Sequence, residues 1–401
     1  DQMKMSPCEE LYLKQPCNLA SMLFQEYTDS MSGESSPYTS WLEINLNAIK
    51  NNVRQFKRLT NKAVMAVLKA NAYGHGVTGV AQAVAEAGAE WCAVARFEEA
   101  LSLRKKGITL PILVLGYTQP DCAVEAIKHN ISLAVFDPSI VQLYLEKIQQ
   151  QGGKLKVHVK IDTGMGRLGV FPQDAFEFMT WLYRQPGIEV EGLFTHFARA
   201  DEPALTTTPR QIEHFKSLVS RLEAEHLRPR WVHACNSAGV FNYPEAYYDM
   251  VRPGISLYGL NPSAETQIPS EFLPALSWKT RLVSIKNYPP GYGISYSHIY
   301  TTSANERIGA IAIGYADNYR RQNGNIALIG GKRVNVVGRV CMDQSMVQLD
   351  ALPDARVGDE VVLIGRQGEA YLSADEIASI WQTANYEVVA NLADRLPRIY
   401  V

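Results

Sequence analysis

The chain has 401 residues, of which 46% are hydrophobic and 20% are charged, and its formal net charge at pH 7 is −2. This length and composition indicate a globular protein with two domains, or one large barrel with an addition. The near-neutral charge provides no basic field for nucleic acid or an anionic membrane, and no apolar run reaches the ~18 residues of a transmembrane helix. The six cysteines show neither a CxxC pair nor a metal-ligand spacing. We therefore expect no metal site and a reducing, cytoplasmic location.

Residues 1–39 differ from the rest of the chain. They mix Met, Ser, Pro, Cys and Glu without sustained periodicity, and they lack the basic start and apolar centre of a secretory signal. We expect an extension of low order without catalytic content. Cys8 and Cys17 within it could pair, although nothing in the sequence requires a disulfide there.

The hydrophobic pattern becomes regular after this extension. An alternating strand over 41–46 and a helix over 47–59 open the globular region. Apolar segments then alternate with segments of helical period, and the last helix, within 237–247, is short. The predicted strands are 64–69, 91–96, 111–116, 132–136, 155–161, 188–196, 231–235 and 249–258. This alternation predicts a parallel (β/α)8 barrel over residues 47–260.

The sequence after the barrel has a different character. A polar, proline-bearing linker over 261–274 leads into a strand-rich region. The predicted elements are strands at 280–287, 307–315, 333–349 and 359–365 and a helix near 373–384. We therefore predict a second, mostly β domain over 275–401.

The first barrel strand ends with a lysine. Lys69 follows a run of apolar residues, and Tyr73 comes four residues later. A lysine is a poor choice for the end of a buried strand unless its amine has a partner or a task. On this stretch alone, a lysine that snorkels at a barrel rim is as good an explanation as catalysis.

Polar residues recur at the ends of the later strands. Catalytic groups of a (β/α)8 barrel gather at the C-terminal strand ends, and phosphate often binds in the loops after strands seven and eight. Glycine amides and the hydroxyls of serine and tyrosine suit a phosphate ester, and a lysine facing them indicates pyridoxal phosphate held as a Schiff base. These strand-end residues are Lys160 and Arg167 after strand five, His196 after strand six, Asn236 and Ser237 after strand seven, and Arg252, Gly254 and Ile255 after strand eight.

Several stretches around these residues resemble alanine racemase, a fold-type III pyridoxal-phosphate enzyme. They run in family order from about residue 41 to residue 400, so the resemblance covers nearly the whole chain apart from the extension. The stretches are 67–76, 160–169, 195–197, 236–238, 251–255, 314–317 and 341–344. The family pattern further implies that 41–46 joins the C-terminal β domain rather than the barrel.

The resemblance implies a role for each site residue. Lys69 would bind pyridoxal 5'-phosphate and act as one of two bases. The other base would be Tyr300 of the partner subunit, which makes the protein a homodimer with shared active sites. Arg252 would face the pyridine nitrogen with His233 behind it. The other implied site residues are Tyr73, His196, Asn236, Ser237, Gly254, Ile255 and Tyr386 around the cofactor, Arg167 and the partner's Met342 at the substrate, Lys160 as a possible carbamate that orients Arg167, and Tyr319 at the entrance.

These roles fit the chemistry of racemisation. A Cα proton must leave one face and return to the other, which requires acid/base groups on both sides of a flat cofactor. A phenol, with a reference pKa of about 10, needs a nearby positive charge such as Arg167 to act as a base at neutral pH. An arginine opposite the ring nitrogen leaves it unprotonated, which weakens the electron sink and suppresses side reactions. Together with the resemblance, which implies alanine as the substrate, these roles lead us to expect interconversion of L-alanine and D-alanine.

Single residues of this set have ordinary explanations. By itself, His233 is better explained as a core histidine. Tyr296, Tyr300 and Tyr319 could be ordinary aromatics, since the chain has 20 tyrosines. The family usually has glycine where this chain has Asn318, and asparagine tolerates the left-handed conformation of such a turn.

Three alternative functions stay open at this point. A serine or broader-specificity racemase on the same scaffold would need the room that Tyr386 occupies. A non-catalytic barrel that binds pyridoxal phosphate would have no use for the C-terminal β domain. A non-enzymatic repeat scaffold would leave Lys69 and Arg252 unexplained.

Overall fold

The computed structural model describes residues 36–149 and 152–401, so most of the predicted extension over 1–39 lies outside the described residues. The first described elements are β1 (Ser40–Ile44) and α1 (Leu46–Thr60). The side chain of Asn45 caps α1, because its oxygen accepts the N–H of Ala48 at 2.9 Å.

Eight parallel strands of the described residues form a nearly closed barrel, which confirms the predicted fold class. The strands are β2 (Ala63–Val67), β3 (Trp91–Val94), β4 (Ile112–Val114), β5 (Ile131–Val135), β6 (Leu155–Lys160), β7 (Ile188–Phe194), β8 (Trp231–His233) and β9 (Met250–Val251). They pair in the order β8-β7-β6-β5-β4-β3-β2-β9. Backbone hydrogen bonds from Asp249 to Val232 and from Arg252 to Cys235 link the two end strands. Most strand residues are buried, as expected for strands covered on both faces.

Helices connect successive barrel strands. They are α2 (Val77–Glu86), α3 (Phe97–Lys105), α4 (Ala123–Lys128), α5 (Pro138–Ile148), α6 (Pro172–Tyr183), α7 (Thr207–Ala224) and the short α8 (Ser237–Asn242). No helix in the described part of the chain combines the length and the apolar character needed to cross a membrane.

The strand predicted over 249–258 is wrong in its second half. β9 ends at Val251, and residues Ile255–Tyr258 form a 3-10 helix. Pro253 has no N–H for a ladder, and Gly254 adopts a φ of −109° and a ψ of −97° that no strand accommodates.

The C-terminal region is mostly β, as predicted. Its elements are β10 (Leu276–Tyr288), β11 (Gly293–Ile294), β12 (Tyr300–Thr301), β13 (Glu306–Ile311), β14 (Ile326–Ile329), β15 (Lys332–Val337), β16 (Ser345–Gln348), β17 (Glu360–Gln367), β18 (Ala370–Leu372), α9 (Ala374–Trp381), α10 (Asn385–Ala390) and β19 (Arg398–Tyr400). The strand predicted over 333–349 is two strands, interrupted where Gly338 has a φ of 69°. β1 lies in this sheet, antiparallel to β10 and parallel to β19.

The chain leaves the barrel through a tight passage at Gly259. This residue has a φ of 75°, and a Cβ there would lie 2.0 Å from the carbonyl oxygen of Leu273 and 2.4 Å from the nitrogen of Pro274. Asn52 of α1 fixes both sides of the passage, because its side-chain amide donates to the carbonyls of Leu257 at 3.0 Å and Leu273 at 2.9 Å. Glycine is therefore required at this position.

Two glycine substitutions separate the steric effect at this passage from backbone strain. Gly107 has a similar φ of 79°, and a Cβ there would meet nothing within 4 Å, so it is the matched control. We expect Gly107→Ala to lower the free energy of unfolding by about 1 kcal/mol through strain alone. Gly259→Ala should lower it by roughly 3 kcal/mol, because backbone atoms must also move. Urea denaturation measures both, and equal losses would contradict the steric account.

Candidate active site

A cavity of about 740 Å³ opens at the C-terminal ends of the barrel strands. Strand-end residues form its floor and walls, and residues at α10 of the β domain close one side. The predicted site residues that line it are Lys69, Tyr73, Lys160, Arg167, His196, Asn236, Ser237, Arg252, Gly254, Ile255 and Tyr386. Tyr300, Met342, Tyr319 and His233 are not among the described residues that line it.

Lys69 and Tyr73 are held on one face by a turn of left-handed helix. Residues 70–73 all have φ between 52° and 55° although none is glycine. This conformation costs roughly 1–2 kcal/mol per residue, and such strain concentrates at functional sites. The carboxylate of Glu99 stabilises the start of the turn by accepting the N–H of Ala70 at 2.7 Å. The Lys69 amine consequently lies 5.8 Å from the centre of the Tyr73 ring.

Ser237 and Gly254 form a small polar cradle beside this turn. The Ser237 hydroxyl oxygen accepts the N–H groups of Gly254 at 2.9 Å and Ser256 at 3.3 Å. A Cβ at Gly254 would lie 2.5 Å from the hydroxyl oxygen of Tyr73, so only glycine allows this approach. Asn236 caps α8 by accepting the N–H of Gly239 at 2.9 Å.

Arg252 is buried at the centre of the barrel mouth. Its Nη1 donates to His233 Nδ1 at 2.9 Å, and its Nη2 donates to the carbonyls of Thr195 at 2.7 Å and Ala234 at 2.9 Å. Burial lowers the pKa of Arg252 to about 10, which leaves it charged at neutral pH. Burial and the Arg252 charge hold the pKa values of His196 and His233 well below their usual range, so both imidazoles are neutral.

The cavity carries an excess of positive charge. Among its described lining residues, the cationic side chains are Lys69, Lys160, Arg167 and Arg252, and the only carboxylate is that of Asp201. Burial, Arg252 and Arg167 lower the pKa of Lys160 to about 8. Burial and Arg167 lower the pKa of Lys69, which makes its amine more available as a nucleophile near neutral pH. Such a site suits a ligand that carries negative charges.

The surroundings of Tyr300 within one chain disfavour the base role predicted for it. Its hydroxyl donates to the carboxylate of Glu306. Burial and Glu306 raise the pKa of Tyr300 to about 12. A base at neutral pH needs the opposite environment, because a neighbouring negative charge disfavours the phenolate.

Tyr296 lies four residues before Tyr300 and is 67% exposed. It is presented by a strained turn, whose positive φ values are 62° at Ser295, 60° at Ser297 and 44° at His298. The Ser295 hydroxyl anchors the turn by donating to the carbonyl of Arg339 at 2.6 Å. Cys341 Sγ lies 3.3 Å from the same hydroxyl, and the adjacent Met342 is 53% exposed. Tyr296, within this anchored turn, and Met342, next to the Cys341 that contacts it, are therefore both exposed on the β domain.

The entrance position predicted for Tyr319 is wrong. Tyr319 is fully buried in the β domain, between Trp278 at 5.7 Å and Trp381 at 6.0 Å between ring centres. Association with another chain can only bury it further, so it cannot line an entrance. Asn318 beside it does adopt the left-handed conformation that the sequence predicted, with a φ of 73°.

Some residues that shape the site escaped prediction from the sequence. Asp201 lines the cavity five residues after His196, beyond the strand end at which catalytic groups are expected. Glu99 was detectable, since it occupies the third position of α3, where a glutamate commonly accepts N–H groups from the preceding turn. His158 lies inside β6, and no sequence signal distinguishes it from a core histidine.

The pKa of Lys69 should respond to its charged neighbours in opposite directions. Arg167 lowers it and Glu99 raises it. We expect Arg167→Gln to move the pH midpoint of Lys69 labelling upward and Glu99→Gln to move it downward, because only the unprotonated amine reacts. Reductive methylation of cofactor-free protein, read by mass spectrometry of the Lys69 peptide, measures the midpoint. Exposed Arg184 provides the control Arg184→Gln. An unchanged midpoint in Arg167→Gln would refute the electrostatic account.

Comparisons with known proteins agree with this geometry. Residues 44–262 match the family model "Alanine racemase, N-terminal domain" and residues 275–400 match "Alanine racemase, C-terminal domain". The alanine racemase of Symbiobacterium thermophilum is 46% identical over 90% of this chain and 97% of its own. That of Carboxydothermus hydrogenoformans is 42% identical over 90% of this chain and 99% of its own.

Solved structures show the same relationship. The alanine racemase from Bacillus anthracis with bound L-Ala-P has a TM-score of 0.86 and 40% identity, with 92% of this chain and 96% of that chain covered. The histidine racemase from Leuconostoc mesenteroides subsp. sake has a TM-score of 0.84 and 33% identity, with 92% and 100% covered. Both family models and these relatives span the barrel and the β domain together. The chain therefore belongs to the alanine racemase family.

Proposed function

We propose that this protein interconverts L-alanine and D-alanine with pyridoxal 5'-phosphate as cofactor, in a homodimer whose chains share each active site. The observation that carries the proposal is the cationic cavity, in which a lysine with a lowered pKa faces a buried arginine and a cradle of neutral donors. Relatives that are 40–46% identical over at least nine-tenths of the chain are alanine racemases, which favours alanine over other amino acids.

The residues of the cavity fit the cofactor. Its positive charge and its serine, glycine and tyrosine donors suit a phosphate ester. When bound, the cofactor supplies an electron sink that acidifies the Cα–H of an amino acid. The residues that would hold it are Lys69 through its amine, Tyr73, Ser237, Gly254, Ile255 and Tyr386 at the phosphate end, and His196, Asn236 and Arg252 around the ring.

Arg252 sets the strength of that electron sink. Its pKa of about 10 keeps the guanidinium protonated at neutral pH, so it donates a hydrogen bond without giving up a proton. With the cofactor bound, Arg252 would offer the ring nitrogen a hydrogen bond but no proton, which would keep the electron sink weak. A weak sink suits a reaction that moves one proton and must avoid transamination.

The second base in this proposal is Tyr296 of the partner subunit, which replaces the predicted Tyr300. The phenols among the described residues lining the cavity are Tyr73 and Tyr386, and burial raises the pKa of both. Neither suits a base at neutral pH, so the phenol must come from outside the chain's own cavity. Tyr296 is exposed on a strained turn and, next to Arg167 of another chain, would gain the positive charge that a phenolate needs.

The alternatives are less well supported. Tyr386 packs 6.3 Å from Tyr73 between ring centres and takes up room that a larger substrate side chain would need. A non-catalytic barrel or a repeat scaffold leaves the β domain with its strained, exposed tyrosine unexplained. The cytoplasmic location stays a prediction from the scattered cysteines.

A chiral assay with alanine and serine tests the function and the choice of tyrosine together. We expect the wild-type chain to racemise alanine faster than serine. Tyr296→Phe should lower kcat by roughly 10²–10⁴-fold, because a positioned acid/base group is lost. Tyr300→Phe, the matched control, should stay within about tenfold of wild type, because it removes only a hydroxyl bound to Glu306. The reverse order would restore Tyr300 as the base, and a wild-type chain without racemisation would refute the function.

Mixed dimers test whether the sites are shared. Neither Lys69→Ala nor Tyr296→Phe should racemise well alone. In a mixed dimer one site carries both lesions and the other carries neither. After random reassociation of equal amounts about half the dimers are mixed, so activity should recover towards about a quarter of the wild-type value. Chain exchange is verified with an affinity tag on one variant. No recovery despite exchange would mean that both bases come from one chain.

A further inference from the structure

A series of polar side chains, which we call the polar row, leads from Arg252 into the barrel interior. Arg252 Nη1 lies 2.9 Å from His233 Nδ1, and His233 Nε2 lies 2.9 Å from His158 Nδ1. His158 Nε2 in turn lies 3.6 Å from Oε2 of Glu191. Both histidines are fully buried. Neither His158 nor Glu191 has a role in the proposed reaction.

The polar row runs away from the cavity. His158 precedes Lys160 of the cavity wall by two residues on β6, which places it about 7 Å deeper in the barrel. Glu191 lies in the middle of β7, with its side chain 16% exposed. The other polar groups that face its carboxylate are the Ser132 hydroxyl at 2.7 Å and the Lys156 amine at 3.6 Å.

The two ends of the polar row, Arg252 and Glu191, determine which nitrogen of each imidazole carries the proton. An arginine can only donate, so His233 Nδ1 must be an acceptor and its proton must sit on Nε2. That proton is donated to His158 Nδ1, which places the proton of neutral His158 on Nε2, directed at Glu191. The nearby His158 ring, the hydrogen bond from Ser132 and the Lys156 amine, working against burial, lower the pKa of Glu191, so it is a carboxylate that can only accept.

Barrel strands β6 and β7 are irregular where they carry the polar row. Val157 pairs with Val190 and His158 pairs with Gly192, so Glu191 is the extra residue of a β-bulge. A bulge redirects the side chain that it carries. A Cβ at Gly192 would lie 2.2 Å from His158 Nδ1, so glycine makes room for the ring.

Aromatic side chains fix the orientation of both imidazoles. Phe194 stacks on His233 with 5.0 Å between ring centres and an interplanar angle of 3°. Trp91 meets His158 edge-on at 5.2 Å. With the rings held this way, a change of tautomer cannot be absorbed by a ring flip without disturbing these contacts.

We infer that Glu191 is a positioning residue for Arg252: it holds His158 and His233 in the Nε2–H tautomer, so that an unprotonated Nδ1 receives the guanidinium. Without that carboxylate the buried Nε2–H of His158 would face no acceptor, so the opposite tautomers would become accessible at the expense of the Arg252 contact. His233 Nδ1–H would then face Arg252 Nη1–H, and two donors at this distance force the guanidinium to move. This inference rests on the proposed function in one respect only: a displaced Arg252 would change the surroundings of the cofactor ring.

Nuclear magnetic resonance of the full chain with ¹⁵N-labelled histidine tests this inference directly. Wild type should show His158 and His233 each as a single Nε2–H tautomer, with and without pyridoxal phosphate. Glu191→Leu should lose the single tautomer at both histidines. Glu189→Leu is the matched control, since Glu189 is exposed on the same strand, and it should match wild type. If Glu191→Leu does not fold, Glu191→Gln serves instead, and it should populate both tautomers because an amide can accept or donate.

A second readout follows the bound cofactor. The absorption maximum of bound pyridoxal phosphate should shift in Glu191→Leu and not in Glu189→Leu, because the environment of the ring nitrogen changes. Unchanged tautomers in the Glu191 variants would overturn the inference, even if the melting temperature falls. Shifted tautomers in a chain without racemase activity would instead support the positioning role and refute the proposed function.

Discussion

The charge of Arg252 is the constraint on which the site depends. Removing a guanidinium from water carries a penalty of several kcal/mol, and among the described residues no carboxylate forms an ion pair with it. Two backbone carbonyls and His233 Nδ1 compensate instead. Burial and this charge together lower the pKa values of His196, His233 and Lys160. The buried cation thereby reinforces the effect of burial on the protonation of the groups around the cavity.

The β domain stabilises the strained turn that carries Lys69. Arg398 of β19 donates to the carbonyl of Gly74 at 3.2 Å and to three carbonyls in the segment before β19. The Tyr400 hydroxyl donates to the carbonyl of Gly76 at 3.2 Å, and its ring packs so closely on Gly79 that a Cβ there would lie 2.6 Å away. β19 is itself held in the sheet by its parallel pairing with β1. The left-handed turn is therefore maintained by contacts that form only when both domains are folded.

The sequence predicted most of the barrel and much of the cavity, because strand ends of a parallel barrel must meet. Lys69, Lys160 and Arg252 lie together for that reason. The proposed choice of Tyr296 over Tyr300 was not predictable, because the surroundings of Tyr300 are not visible in the sequence: it pairs with Ile294, and its hydroxyl donates to Glu306. Backbone strain and β-bulges leave no periodic signal.

The placement of the phenols explains why one chain does not complete the proposed site. The barrel places Lys69 and Arg252 in the cavity, but the phenols that line it have pKa values raised by burial. The β domain displays Tyr296 and Met342 on its surface, outside the chain's own cavity. A two-fold dimer uses the same patch of each chain twice, so one contact between barrel and β domain completes both sites. The strain of the Tyr296 turn, which no burial offsets in a single chain, would then be offset by burial against the partner's cavity.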